Sequence, residues 1–289
     1  MPTNARRSLV FTVIVAVAPA LALPLRAAGV DVFPRMAALL GPEQDLLPRR
    51  AAEADLRDAV REVPSFKASL RRLHSDDPEL QLQAVRELAR PNHLRAVPYL
   101  GALFLQTDAD RGVRGAAALA LGRIGDWNAI SFLAQGLDDV DEQIRFTTAL
   151  ALGRLRHSDG VALLETKTLK DPNWWVRYAG TIALGQAKNP AAEPALLAAL
   201  SDSEWQVRQQ AARSLGEYRS QRAREALATA LKDEDPAVRY AAARELGEVG
   251  TLDSIDTLRD AWSSEREETT RAMMSASLKR LVSPDSLTD

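Results

Sequence analysis

The sequence predicts an all-α solenoid of about seven two-helix repeats, because one phrase returns at a constant spacing. A β-branched residue and an arginine are followed by Leu-Gly, and the arginines of five such phrases lie 31, 32, 31 and 31 residues apart. In a solenoid each unit buries its apolar face against its neighbours, so the period is regular. Weaker copies place Gln81 and Arg271 in the arginine position and extend the array over residues 63–281.

Each repeat is predicted to contain two amphipathic helices. In the second helix of the first strong copy, Val113, Ala117 and Leu121 recur every four residues and form one apolar stripe. The first helices share a leucine eleven residues after the preceding repeat glycine, at Leu133, Leu164, Leu227 and Leu258. A helical hairpin is therefore the repeating unit.

Residues between these helices indicate where each one begins and ends. Gly125 and Gly250 suit the left-handed conformation that ends many helices. Asp171-Pro172 and Asp235-Pro236 each supply a capping side chain followed by proline, a combination that favours a helix start. The sequence therefore predicts a second helix beginning at each Asp-Pro pair.

The amino terminus has the residue order of a secretory signal peptide. Residues 1–7 carry two arginines, which also fit a twin-arginine export motif, and residues 8–25 form an uncharged, mostly apolar run. Small residues at Ala20 and Ala22 predict cleavage after Ala22 and a periplasmic or secreted protein. The alternative is an uncleaved anchor, which would be the only link to a membrane, but the prolines in this run disfavour it.

These boundaries divide the chain into four parts. Residues 1–22 are the predicted signal peptide, 23–62 a linker with an N-terminal padding helix, 63–281 the solenoid and 282–289 a C-terminal tail. A membrane-proximal spacer is the alternative for residues 23–62.

Composition excludes several classes of function. The 289 residues include no cysteine, which excludes disulfides, zinc fingers and thiolate catalysis. The net charge of −2 argues against a dedicated nucleic-acid binder. None of His74, His93 and His157 has an acid at metal-ligand spacing, and no nucleophile or nucleotide motif occurs in a credible context, so the sequence predicts no metal, cofactor or catalytic residue. Arginine outnumbers lysine 31 to 6, as expected of a GC-rich bacterial coding sequence.

Acid and arginine recur together in every repeat and are predicted to form a structural ladder. In each copy the acid precedes the arginine by six residues. A charge pair repeated in every unit ties unit to unit and carries no information specific to one partner, so an anion-binding stripe is the weaker hypothesis. The ladder residues are Asp108, Arg114, Asp139, Arg145, Asp171, Arg177, Asp202, Arg208, Asp233 and Arg239, with Glu265 ahead of Arg271 in the last copy.

Positions that vary between copies are better candidates for binding, because the solenoid itself does not need them. They fall on one side of the second helices and collect six of the 15 aromatic residues. Aromatic anchors among Gln and Arg are typical of protein-binding hot spots. The predicted protein-binding patch comprises Phe146, Trp174, Trp175, Tyr178, Trp205, Gln206, Gln209, Arg213, Tyr240 and Arg244. The alternative is that Trp174 and Trp205 only cover the ladder and fill the groove between helices.

The repeated phrase, DxDxxVRxxAAxALGxIGD, closely resembles the short HEAT repeats of the phycobilisome-lyase type over residues 63–281. The resemblance implies a right-handed superhelix whose second helices line a concave face that commonly binds other macromolecules. It also implies a stacked ladder of Asp and Arg. It does not imply one reaction, because one fold hosts many functions.

We therefore expect an exported bacterial scaffold that binds a protein partner through its concave face, without catalysis, cofactor or nucleic acid, and as a monomer. The alternative is a lyase like the family's bilin-attaching members, with a tetrapyrrole in the concave groove. Export argues against it, because those substrates are made inside the cell. HEAT-repeat hydroxylases build a di-iron site from His-Glu pairs, and the sequence contains no such dipeptide.

Overall fold

A computed structural model of the protein describes residues 65–282, which form fourteen helices in seven successive hairpins and no strand. This confirms the predicted all-α repeat fold. The predicted signal peptide, linker, padding helix and most of the tail lie outside the described residues. No helix between residues 65 and 282 is long and apolar enough to cross a bilayer.

First and second helices alternate along the chain. The first helices of the seven repeats are α1 (65–73), α3 (Val97–Leu105), α5 (Ile130–Gly136), α7 (Ser158–Lys167), α9 (Glu193–Ala199), α11 (Gln221–Ala230) and α13 (Ser254–Ser264). The second helices are α2 (Pro78–Leu88), α4 (Arg111–Ile124), α6 (Glu142–Leu155), α8 (Trp174–Ala187), α10 (Trp205–Leu215), α12 (Pro236–Val249) and α14 (Glu268–Val282). Short 3-10 turns, at Leu94–Ala96, Trp127–Ala129, Thr168–Lys170 and Pro190–Ala192, adjoin four of the first helices.

The chain divides into two compact units, residues 1–84 and 85–289. Of the first unit, the structure describes α1 and the first part of α2. Phe66 and Leu73 are buried there, and the side-chain amide of Gln81 donates a hydrogen bond to the carbonyl oxygen of Leu73 at 3.5 Å. The end of α1 is thus linked to the first turn of α2.

In the second unit, the second helices α4, α6, α8, α10, α12 and α14 pack against one another in series as one layer. Glycine allows this close approach at the same position of successive repeats. A Cβ added at Gly122 would lie 2.7 Å from the carbonyl oxygen of Ala151, and one added at Gly153 would lie 2.6 Å from the Cα of Ala183. The first helices contact one another in the same order but less closely.

The leucines predicted for the first helices form the core between the two layers. Leu133, Leu164, Leu227 and Leu258 are fully buried, as are Val113, Ala117 and Leu121 of the second-helix stripe. Full burial of one leucine side chain contributes about 2 kcal/mol, so the repeated stripe is a major source of stability.

The helix ends agree with the sequence at some positions and not at others. Gly125 ends α4 in the left-handed conformation, with φ of 81°, as predicted. The same prediction is wrong for Gly250, whose φ is −66° and ψ 162°. Glycine is needed there for space, because an added Cβ would lie 2.3 Å from the carbonyl oxygen of Leu246.

The two Asp-Pro pairs also differ. Helix α12 begins at Pro236, and Asp235 caps it by accepting a hydrogen bond from the N–H of Ala237 at 2.8 Å, as predicted. Helix α8 instead begins at Trp174 and is capped by Asn173, so a start at Pro172 is wrong. Asp171 stands at the ladder position, which corresponds to Asp233, and accepts a hydrogen bond from the N–H of Asn173 at 2.9 Å; Asn173 stands at the capping position, which corresponds to Asp235.

Candidate functional site

Five arginines of the second helices form ion pairs with acids of the following repeat. Each of these acids lies in the loop that precedes the second helix of its repeat. Four of the arginines bind both carboxylate oxygens: Arg145 to Asp171 at 2.7 and 3.1 Å, Arg177 to Asp202 at 2.7 and 2.8 Å, Arg208 to Asp233 at 2.8 and 2.9 Å, and Arg239 to Glu265 at 2.6 and 2.9 Å. Arg114 contacts Asp139 through one nitrogen and donates its Nε to the carbonyl oxygen of Phe104 at 3.0 Å. The pairs therefore connect neighbouring repeats.

The same arginines also hold the loop of their own repeat. The Nη1 of Arg177 donates to the carbonyl oxygen of Asp171 at 3.0 Å, and that of Arg208 donates to the carbonyl oxygen of Asp202 at 2.9 Å. Each loop is thus fixed by arginines from two repeats. Each ladder acid pairs with the arginine of the preceding repeat. For Asp108 that position is occupied by Gln81, and Asp108 has no ion pair among the described residues.

Hydrogen bonding keeps two of the acids in the ladder, Asp202 and Glu265, charged. Burial alone would raise the pKa of Asp202, but the hydrogen bonds from Arg177 and from the N–H of Glu204 outweigh it and place the pKa below its usual value. The hydrogen bond from Arg239 likewise lowers the pKa of Glu265 against the effect of burial. Asp202 and Glu265 therefore remain ionised well below neutral pH.

The ten predicted patch residues lie on four consecutive second helices, α6, α8, α10 and α12. All of them are exposed or half-buried, because they fall on the side of each helix opposite its buried stripe. Trp174 and Trp205 are the first residues of α8 and α10 and lie next to the ladder loops. We call the surface formed by these ten residues the second-helix face.

Several side chains of the second-helix face contact the neighbouring helix. The rings of Phe146 on α6 and Trp175 on α8 are stacked, with centroids 4.2 Å apart and planes at 29°. Tyr178 packs against the cluster that contains Val207. The side-chain amide of Gln209 donates to the carbonyl oxygen of Ala237 at 3.4 Å. The structure thus brings Phe146 and Trp175 together, whereas Tyr178 and Gln209 contact other residues of the next second helix.

The tryptophans of this face are partly packed and partly open to solvent. Trp174, Trp175 and Trp205 are 38%, 40% and 39% exposed. Stacking on Phe146 holds the indole of Trp175, and more than a third of the surface of each indole is available to another molecule. A large ring that is both fixed and accessible is typical of a binding anchor.

A family model for HEAT repeats matches residues 66–145, 130–202 and 193–279. The chain belongs to the HEAT-repeat family. The resemblance inferred from the repeated phrase is confirmed by this match. A sequence comparison with curated proteins returns no significant match.

Solved structures agree with a HEAT-repeat fold. The chain is similar to Kap95p in its complex with RanGDP, with 14% identity and a TM-score of 0.55, over 89% of this chain and 42% of that one. It is also similar to YibA of Escherichia coli, with 17% identity and a TM-score of 0.51, over 89% and 94%. The CpcE and CpcF complex of phycocyanin lyase from Nostoc sp. PCC7120 matches with 21% identity and a TM-score of 0.47, over 75% and 94%.

One HEAT repeat carries a buried acid that the sequence analysis missed. Glu245 on α12 is only 7% exposed, and the other five second helices that carry the repeat arginine have alanine or serine at its position, whereas α2 has the half-buried Glu87. Its side chain occupies space left by Gly216, where an added Cβ would lie 2.2 Å from Oε2. Burial raises the pKa of Glu245, and Arg244, whose Nε lies 3.2 Å from Oε1, opposes the shift. Aligning the repeats by their arginine reveals this exception.

The sequence analysis also missed a stacked Trp-His pair, which lies in the segments between helices and outside the second-helix face. Trp127, at the start of the turn before α5, is 64% exposed and stacks on His157, with ring centroids 6.4 Å apart. Nothing in the repeat pattern distinguishes it, because this position differs in every one of the five strong copies of the repeat. Within residues 65–282, no group of three or more acids and histidines is arranged to hold a metal ion.

Proposed function

We propose that this HEAT-repeat protein is a non-catalytic scaffold that binds a protein partner through the second-helix face. The observation that carries the proposal is the set of three tryptophans, each partly buried yet 38–40% exposed, on two consecutive second helices. The ladder holds those helices in a constant relation, so the anchors are presented with little loss of entropy on binding.

The proposed concave position of this face has support in the packing. Second helices contact one another more closely than first helices do, and glycine at a repeated position permits it. A stack whose layers differ in spacing curves toward its tighter layer. The same fold binds a protein in the complex of Kap95p with RanGDP.

A flat tetrapyrrole is a poorer occupant of this surface. The stacked rings of Phe146 and Trp175 are 4.2 Å apart, so they already fill the space in which a flat ligand would be sandwiched. We propose binding of a protein in preference to lyase activity on this ground.

We also propose that the protein is exported and acts in the periplasm or outside the cell. Support comes from the sequence, whose first 22 residues have the charge and hydropathy order of a signal peptide. A periplasmic scaffold would find its partner among envelope proteins.

A crosslinked pull-down from the native envelope tests the proposed binding. The variant combines Trp174→Ala, Trp175→Ala, Tyr178→Ala and Trp205→Ala, with helicity checked by circular dichroism. The matched control is Leu94→Ala, Trp127→Ala and Leu252→Ala, which removes exposed apolar side chains elsewhere. We expect one partner to be lost from the variant and kept by the control. Identical partners for wild type and variant would contradict the proposal.

A further inference from the structure

The second-helix face presents polar groups that the protein itself leaves unused. Neither the guanidinium of Arg213 nor the hydroxyls of Tyr178 and Tyr240 make a hydrogen bond or ion pair within the described part of the chain. The Oε1 atom of Gln206 is buried and also has no hydrogen-bond partner among those residues. An unsatisfied buried amide costs free energy, so a ligand that supplies the missing partner gains affinity.

Most other charges around Arg213 are already neutralised. Arg244 lies 3.2 Å from the buried Glu245, and Glu217 lies 2.9 Å from Lys188. Glu248 forms an ion pair with Arg280. Glu245 also attracts Arg213, so Arg213 and Arg244 share one buried carboxylate and together leave a net positive charge on the face.

Helix geometry sets the spacing between that charge and the aromatic rings. Arg213 follows Gln209 by four residues on one stripe, which is about 6 Å along the axis. Tyr178 occupies the Gln209 position on α8, and packed helices lie about 8–10 Å apart. The charge thus stands about 10–12 Å from Tyr178, a distance that an extended peptide spans in about three residues.

We infer that the partner presents an extended acidic segment to this face. An aromatic or large apolar side chain of the segment packs on Trp175 and Tyr178, and an Asp or Glu about three residues away pairs with Arg213. A main-chain N–H of the segment donates to the Oε1 atom of Gln206 once that side chain rotates out of its buried position. This inference rests on the proposed binding function and specifies its partner.

Selection from a phage-displayed library of random 12-residue peptides tests this chemistry. On the wild-type protein we expect enrichment of peptides with an acid two to four positions from an aromatic or large apolar residue. On Arg213→Glu we expect the acid to be replaced by Lys or Arg. A peptide selected on wild type should bind Arg213→Glu about tenfold or more weakly, because like charges then meet. Arg222→Glu, an exposed arginine on α11, should change its affinity less than twofold.

Three results would overturn the inference. The first is enrichment of basic or uncharged peptides on the wild-type protein. The second is equal binding of acidic peptides to wild type and Arg213→Glu. The third is equal enrichment of peptides on wild type and on the variant that combines Trp175→Ala with Tyr178→Ala. The first of these, if binding still depends on the two aromatic residues, refutes only the acidic chemistry and leaves the proposed scaffold function standing. An unchanged set of partners in the envelope pull-down refutes the scaffold function itself.

Discussion

Arg208→Met removes one rung of the ladder and leaves its acid behind. Arg208 donates to both oxygens of Asp233, at 2.8 and 2.9 Å, and to the carbonyl oxygen of Asp202 at 2.9 Å. The side chains of Arg208 and Asp233 are only 8% and 12% exposed. Methionine retains the apolar stem and none of the donors, so Asp233 is left as a poorly compensated buried charge.

The expected loss follows from that burial. Removing one partner of a buried ion pair costs about 3–5 kcal/mol, whereas an exposed pair contributes about 1 kcal/mol or less. The carboxylate of Asp233 still accepts a hydrogen bond from the N–H of Asp235 at 2.9 Å, so the lower end of the range applies. We expect Arg208→Met to lower the free energy of unfolding by about 3 kcal/mol.

Urea unfolding followed by far-UV circular dichroism measures this loss. The matched control is Arg111→Met, because Arg111 is 63% exposed and lies 3.5 Å from Asp141, so its loss should stay below about 1 kcal/mol. Adding Asp233→Asn to Arg208→Met should recover part of the stability, since the uncompensated charge is then gone. Equal losses for Arg208→Met and Arg111→Met would refute the assignment of the ladder as the link between repeats.

Three further predictions concern other parts of the chain. Because burial raises the pKa of Glu245, ionisation of its carboxyl lowers the free energy of unfolding as pH rises through that pKa. In urea melts, Glu245→Gln should therefore stabilise the protein near pH 7 and make little difference near pH 4. Equal effects at both pH values would contradict this. Gly153→Ala should cost about 1–3 kcal/mol by overpacking, whereas Gly160→Ala, with its nearest contact at 3.5 Å, should be neutral or stabilising. The mass of the exported protein should correspond to a chain that begins at Leu23, and an intact amino terminus would refute cleavage.

The sequence predicts the helices well because burial and periodicity are local signals. The same four leucines that mark the first helices in sequence are fully buried in the structure, since one repeat spacing fixes which side of each helix meets its neighbours. The cap of α8 is predicted less well because the two Asp-Pro pairs occur in different registers of the repeat. Asp171 stands at the ladder position, where Arg145 binds both of its oxygens, and Asn173, two residues later, caps the helix.

Part of the candidate site is predicted from the sequence and part is not. Variation between repeats identifies which positions the solenoid does not need, and these positions do lie together on the second-helix face. The sequence contains no information on which repeat supplies the partner of each arginine, because an acid six residues before it and one 25 residues after it are equally regular. Nor does it reveal that Glu245 is buried, which depends on the space beside Gly216.

Site-specific photocrosslinking tests the central claim most directly. A benzoylphenylalanine is placed at Gln209, in the middle of the second-helix face, or at Gln221, an exposed position on α11, and the protein is irradiated in its native envelope. We expect one dominant adduct from Gln209. Excess unlabelled wild-type protein should compete it away, whereas an equal excess of the variant with alanine at Trp174, Trp175, Tyr178 and Trp205 should not. The same adduct from Gln221, or none from Gln209, would contradict the central claim.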